Sequence, residues 1–307
     1  MAHSNDHPET ASPRTSSSIA GRATQSLGPE NHRFKVGDFD ITVVSDGYIA
    51  IPTDILLSDA NPAERQAALP LLDVANGNVK PKANIPVIRA GSDLVIVDIG
   101  GGDKYQETDG RLAENLEHAG IDRESITKVV FSHAHPDHIW ATLNEEGGLL
   151  YPNATYYIGA AEWDFWMKPD YESAMPPPLH EFARGAQRDL NAIRERVVML
   201  RPGDEILTGF RSLDTPGHTP GHLSFELAGG DGLLIAVDVA NNEIVSFRHP
   251  DWTFGYDTDP ELGIRTRQRF LDRAATDRTK LLGYHWAYPG VGYAERDGLG
   301  YRFAPSP

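Results

Sequence analysis

The run Ser132-His133-Ala134-His135-Pro136-Asp137-His138 places four potential metal ligands within six positions. A turn at a strand end can aim alternate side chains into one cleft. His133 and His135 would then point toward one cation, and Asp137 and His138 toward a second close by. A surface loop that happens to collect histidine is the plain alternative. With 12 histidines in 307 residues, three within six positions is more than chance supplies, and His-x-His-x-Asp-His reads as a metal site. The chemistry that follows is hydrolysis. Metal binding lowers the pKa of water from about 15.7 to about 7, so a hydroxide bridging two cations is a nucleophile available at neutral pH. One metal would polarise a carbonyl or phosphoryl oxygen and the other would stabilise the leaving oxygen, with Asp137 able to relay a proton to it.

Further donors must complete the shells. In Asp214-Thr-Pro-Gly-His218-Thr-Pro-Gly-His222 the Thr-Pro-Gly turn sets His218 on a rigid loop, as a ligand requires. His222, at the start of a strand, reads as support for a ligand rather than as a ligand itself. Leu233-Leu-Ile-Ala-Val-Asp238 is an apolar strand ending in a carboxylate. Burying that carboxylate is costly unless it is paired or bound to a cation. A bridging position between two cations is expected for Asp238, against the plainer roles of helix cap or ion-pair partner. His285 follows Lys280-Leu-Leu-Gly-Tyr284. Alone it would more often be a packed core histidine; it becomes a ligand candidate because the other site lacks a third nitrogen. Trp140 and Trp286, beside the ligands, are expected to line the substrate pocket. Trp163, Phe165, Trp166, Trp252 and Phe254 are further aromatic candidates, several of which core packing would claim.

These residues need a scaffold of strand ends. The segment from Phe34 to Asp46 alternates like a strand and closes in Ser-Asp-Gly; residues 85–89 and 94–98 form a pair about a Gly-Ser turn. Helical spacing marks 111–119, 180–195 and 260–275. Short apolar strands are expected at 128–132, 154–158, 197–200, 205–213, 222–228, 232–238 and 280–284, with a short aromatic helix at 161–167 and a long loop over 53–83 carrying a helix near 62–69. Strands with hairpins, a helix, more strands, then helix and strand suggest an α/β (α+β) fold: two mixed sheets packed together with helices outside, four layers in all. Residues 33–307 are expected to form one domain. The first 32 residues, rich in Ser, Thr and Pro, read as a disordered leader in which His3, His7 and His32 have no role.

Composition narrows the function. Net charge is -16 and the sequence pI is near 5.1, which disfavours nucleic acid and anionic membrane surfaces as partners. The absence of cysteine excludes disulfides, thiolate ligands and cysteine nucleophiles. Nitrogen and oxygen donors alone suit Zn first, with Mn, Fe or Co as alternatives. No apolar run reaches the ~18–20 residues of a membrane span, and no apolar secretory segment opens the chain, so a cytoplasmic location is expected. The acidic surface favours a neutral small molecule, such as a lactone, aryl ester or phosphotriester.

The succession His133-x-His135-x-Asp137-His138, His218, Asp238 and His285 resembles the metallo-β-lactamase superfamily over roughly residues 34–304. The opening GDFDITVVSDG and the ending HWAYPGVGYAERDGLGYRF look like methyl parathion hydrolases and their lactonase relatives. The resemblance implies a four-layer αββα sandwich with the site at the sheet edges. It further implies one metal on His133, His135 and His218, a second on Asp137, His138 and His285, and Asp238 between them. Asp98 stands where the superfamily commonly has Asp-Thr-Gly; it and Asp46 would support ligands by hydrogen bonding or else cap turns. A homodimer, through segment 53–83, is implied by resemblance alone. Two departures stand out. Ile139-Trp140-Ala141 replaces the usual Gly-Gly after the motif, so Trp140 would crowd the pocket. Asn241 stands where the better-known quorum-signal lactonases carry Tyr, which argues against homoserine-lactone hydrolysis as the main activity. A dehalogenase or thioesterase on the same scaffold is the main alternative. A di-iron oxygen or nitric oxide reductase is a weaker one, since such proteins usually carry a carboxylate at the place of His135.

Overall fold

Alternating β-branched and aromatic residues build the strands, and where two faces are both covered the runs become wholly apolar. Val95-Ile96-Val97 and Val129-Val130 are of the second kind and are fully buried. The computed structural model describes residues 31–175 and 177–306. One seven-stranded sheet runs in the order Asn31–Val36, Phe39–Tyr48, Lys82–Ala90, Asp93–Val97, Lys128–Val130, Thr155–Gly159, Val197–Leu200. The other runs Glu205–Leu207, Phe210–Asp214, Leu223–Leu227, Leu233–Ile235, Lys280–Leu282, Val291–Asp297, Gly300–Pro305. Both are mixed, with parallel pairing from 93–97 through 197–200 and between 233–235 and 280–282.

The two sheets share one core, in which Ile41, Ile85 and Val87 belong to the same cluster as Phe210, Phe225 and Ile235. Helices Leu112–His118 and His180–Ile193 add Leu116, Ala186 and Leu190 to that cluster. Helix Pro260–Asp277 covers the second sheet with Phe270, Leu271 and Ala274 against Leu234 and Leu281. The expected four-layer arrangement is therefore observed. No helix among the described residues is long and apolar enough to cross a membrane.

Several boundaries differ from expectation for local reasons. The stretch from 34 to 46 is not one strand: Gly37, at φ 53°, turns it into a hairpin whose first strand begins at Asn31. Residues 31 and 32 of the expected leader thus lie in the sheet, while the remainder, with His3 and His7, lies outside the described residues. The segment 53–83 supplies two strands, Asn78–Val79 and Val74–Ala75, to a small three-stranded sheet completed by Ile51–Pro52. It packs through Leu56 and Leu57 on Trp252 and Phe254. The hairpin of Val291–Asp297 and Gly300–Pro305 was not legible, because its Glu-Arg-Asp stretch faces solvent. The strand before Asp238 stops at Ile235; Val237, at φ 50°, bends the chain into a single 3-10 turn over Val237–Val239. A β-branched residue there is strained, and the bend is what carries Asp238 to the sheet end.

Candidate metal centre

Three parallel strands in the middle of the two sheets deliver the polar cluster at their C-terminal ends, the usual place for a site in such sheets. Lys128–Val130 leads into His133–His138, Leu233–Ile235 into Asp238, and Lys280–Leu282 into His285. The sheets are fastened together there: Leu223 N donates to Ser132 O at 3.0 Å and Asn84 N to Tyr284 O at 2.8 Å. His218 arrives on the loop after Phe210–Asp214. That loop presses so closely on the helix Ala160–Trp166 that a Cβ on Gly221 would stand 2.0 Å from Glu162 N. Hence the glycine in the second Thr-Pro-Gly.

All seven expected ligands are buried and converge. On one side lie His133, His135 and His218, with His135 Nδ1 2.9 Å from His218 Nε2. On the other lie Asp137, His138 and His285. Asp238 spans both: Oδ2 is 3.2 Å from His218 Nε2, and Oδ1 is 3.5 Å from His138 Nε2 and 3.4 Å from His285 Nε2. Asp137 Oδ2 closes the second group at 3.4 Å from His138 Nε2 and 3.3 Å from His285 Nε2. Four ligands about 2.0–2.1 Å from a tetrahedral zinc stand about 3.3–3.4 Å from one another. The second group has that spacing. Its distances are too long and too equal for a hydrogen-bond network.

Several of the cluster's polar atoms are otherwise idle. His133 Nε2, His138 Nε2, Asp137 Oδ2 and Asp238 Oδ1 are buried with no hydrogen-bond partner among the described residues, as is His135 Nε2. Buried polar atoms normally find partners, so this concentration fits a cation. The electrostatics agree. Burial, then the neighbouring imidazoles, hold His133 and His135 well below the ordinary histidine range, in the neutral form that ligates. Burial also acts against charge on His138 and His285, but Asp238 and Asp137 outweigh it, raising His138 well above its usual range and His285 to about 10. This half of the cluster therefore draws positive charge, which a divalent cation supplies while leaving the ring nitrogens free.

Behind the donors stands a layer of fixed hydrogen bonds. Asp98 Oδ2 lies 2.9 Å from His138 Nδ1 and accepts from Ser132 Oγ at 2.7 Å. His222 Nδ1 faces Thr215 O at 3.0 Å, so its Nε2 accepts from Asp238 N at 3.2 Å. His222 thus holds the backbone of Asp238 and belongs to neither donor group, and burial keeps it neutral, with a pKa lowered to about 3. Asp46 takes the second of its two expected roles, that of a cap. It accepts from Leu112 N at 2.6 Å and Gly101 N at 3.3 Å and touches no ligand. It secures the loop after Asp98. Partners the sequence did not reveal are Asp257, 2.9 Å from His218 Nδ1 and paired with Arg267 at 3.1 Å, and Tyr284, whose hydroxyl donates to Asp137 O at 2.7 Å. Glu162 was also missed. It accepts from Ala134 N, Trp166 Nε1, Thr219 Oγ1 and Gly221 N, and so ties both ligand loops to one carboxylate. Glu162 and Trp166, four apart on one helix face, were the available clue.

A narrow cavity of about 20 Å³ opens onto the cluster, lined by Ile49, Ile51, Tyr105, Phe182, Phe254 and Tyr256 together with His135, Asp137, His218, Asp238 and His285. Neither expected tryptophan lines it. Trp140 lies behind, edge-on to Tyr105 at 5.7 Å and to Phe182 at 6.4 Å, with the Arg188 guanidinium over its ring. Trp286 points away from His285 into the second core, against Phe247 and Phe303, and donates to Ala240 O at 2.7 Å. Both stand outside the strands, Trp140 on a 3-10 turn and Trp286 in the bend after Lys280–Leu282, and packing into its own hydrophobic cluster claims each ring. Of the other aromatic candidates, Phe254 lines the cavity.

Residues 82–282 match the family model of the metallo-beta-lactamase superfamily. Among curated proteins the chain is similar to the N-acyl homoserine lactonase AttM of Agrobacterium fabrum, 29% identical over 145 residues, which are 44% of this chain and 49% of AttM. The chain thus spans about half the length of the curated relatives it matches. Among solved structures it is similar to AidC, a dizinc quorum-quenching lactonase in complex with the product N-hexanoyl-L-homoserine, with a TM-score of 0.84, 28% identity, and coverage of 90% of this chain and 97% of AidC. The hydrolase AbOPH, also of the beta-lactamase superfamily, superposes with a TM-score of 0.84 at 25% identity, over 90% of this chain and 97% of that one. Matched over residues 82–282, which hold six of the seven clustered residues, the chain belongs to the metallo-beta-lactamase superfamily.

Proposed function

We propose that this chain is a dinuclear metal-dependent hydrolase that opens lactones. The observation that carries the reading is the paired donor set, with Asp238 offering one oxygen to each side. In this reading His133, His135 and His218 hold one divalent cation, Asp137, His138 and His285 hold the other, and Asp238 serves both. Zinc suits the all-nitrogen-and-oxygen set and the tetrahedral spacing. When bound, two such cations acidify water to a pKa of about 7 and polarise a carbonyl oxygen.

The rest falls to the protein. Asp98 and Asp257 fix the rings of His138 and His218, so the donors do not reorganise when substrate arrives. Ile49, Ile51, Phe182 and Phe254 make an apolar wall that holds a neutral acyl group and excludes bulk water. The relatives named lactonases, AttM and AidC, support a cyclic ester over an aryl ester or a phosphotriester. Asn241 does not oppose this reading: its amide donates to Asp238 Oδ2 at 3.1 Å and it lines no part of the cavity.

The test combines metal analysis with turnover of an acylated homoserine lactone, a p-nitrophenyl ester and a phosphotriester. The expected result is two metal ions per chain, turnover greatest on the lactone, and loss of activity on chelation that added zinc reverses. Full activity in the chelated protein, or turnover of the phosphotriester alone, would refute it.

A further inference from the structure

The cavity residues sort into three chemical kinds. Five are the proposed ligands, four are hydrocarbon, and the remaining two are Tyr105 and Tyr256. Among the described residues lining the cavity, these two phenols are therefore the only protic groups not committed to a cation. They come from separate places, Tyr105 from the loop between Asp98 and helix Leu112–His118, Tyr256 from the loop before helix Pro260–Asp277. Their rings are braced rather than loose: Tyr105 edge-on to Trp140 at 5.7 Å, Tyr256 edge-on to Phe254 at 5.7 Å. The Tyr256 ring is half-buried. Burial first, then the Asp137 carboxylate, push both phenols above their ordinary range, so each keeps its proton at any physiological pH.

Ester hydrolysis needs a donor where these groups stand. As water adds to the carbonyl carbon and the ring C–O bond breaks, negative charge gathers on the departing alkoxyl oxygen. In a lactone that oxygen is a strongly basic alkoxide, so a preorganised donor contributes most there. We propose that Tyr105 and Tyr256 are catalytic residues that donate hydrogen bonds to the leaving oxygen of the bound ester. The phenols keep their protons; the attacking water supplies both the new acid oxygen and the hydrogen of the released alcohol. Trp140, in turn, is a positioning residue for Tyr105, which explains why a bulky ring stands after the His motif without entering the cavity. The inference rests on the hydrolase reading above.

The experiment compares the zinc-loaded wild type with Tyr105→Phe, Tyr256→Phe and the double variant on an acyl homoserine lactone and on a p-nitrophenyl ester. The latter leaves as a weakly basic phenolate and has little need of a donor. Phe preserves ring volume, and melting temperature and zinc content are measured for each protein. The expected result is a fall in kcat on the lactone of about 10–100-fold per variant, with KM within about threefold, a far smaller loss on the aryl ester, and unchanged zinc content. Equal losses on both substrates, or a double variant as fast as wild type on the lactone, overturn the proposal. Should one substitution unfold the protein, the other decides. A wild type that turns over neither ester refutes the hydrolase reading and this inference with it, whereas an active wild type with equally active variants refutes this inference alone.

Discussion

Replacing Glu162 with Gln tests whether one buried carboxylate organises both ligand loops. Oε1 accepts from Ala134 N at 3.0 Å and from Trp166 Nε1 at 2.6 Å; Oε2 accepts from Thr219 Oγ1 at 2.6 Å and Gly221 N at 3.1 Å. A carboxamide offers one accepting oxygen, and its NH2 must face one of those donor pairs. The less costly orientation turns the NH2 toward Thr219, whose hydroxyl can rotate to accept, and leaves Gly221 N–H without a partner. An orphaned buried donor costs about 1–3 kcal/mol. Reducing two charge-assisted bonds to ordinary strength adds about 1 kcal/mol each. The sum, about 3–5 kcal/mol, corresponds to a melting temperature lower by on the order of 10 °C. Because Ala134 separates His133 from His135, and Gly221 follows His218 by three residues, the loosened loops should also weaken zinc binding by about 10–100-fold. Differential scanning fluorimetry of the chelated protein reads the first effect, and zinc titration against a competing chelator the second. A melting temperature within about 2 °C of wild type would refute the account, as would zinc affinity left unchanged.

Other consequences concern the groups behind the ligands and the loop that Asp46 secures. Asp98→Asn and Asp257→Asn should each weaken one cation by about 10–100-fold, seen as loss of close to one metal per chain after dialysis. Asp257→Asn should also lower stability by about 3–5 kcal/mol, because it removes the only carboxylate paired with the buried Arg267 among the described residues; equal stability of the two variants would contradict this. Asp46 and Asp109 are raised by burial to about 7 and about 8, against 3.8 for an ordinary Asp. A carboxyl that binds its proton more tightly when folded contributes stability that is complete below about pH 4 and is lost as pH rises through 7–8. The melting temperature of wild type should therefore fall between pH 6 and about 9, and Asp109→Asn should flatten that slope; parallel profiles would exclude Asp109 as its source.

Local chemistry made much of this protein legible. His133, His135, Asp137 and His138 are four donors within six residues, delivered together by the Lys128–Val130 strand before them. The strands at 85–88, 94–97 and 129–130 likewise rest on residues buried on both faces, where sequence has little freedom. Contacts between distant segments were not legible. Asp257 reaches His218 across 39 residues, Glu162 joins Ala134 to Gly221, and Tyr105 meets Tyr256 at the cavity, and in none of these does one segment's pattern mark the other. Trp140 and Trp286 show the same limit. Adjacency in the chain placed them beside ligands, yet the direction of a side chain depends on which layer its element packs against, and that is decided only when the sheets and helices close together.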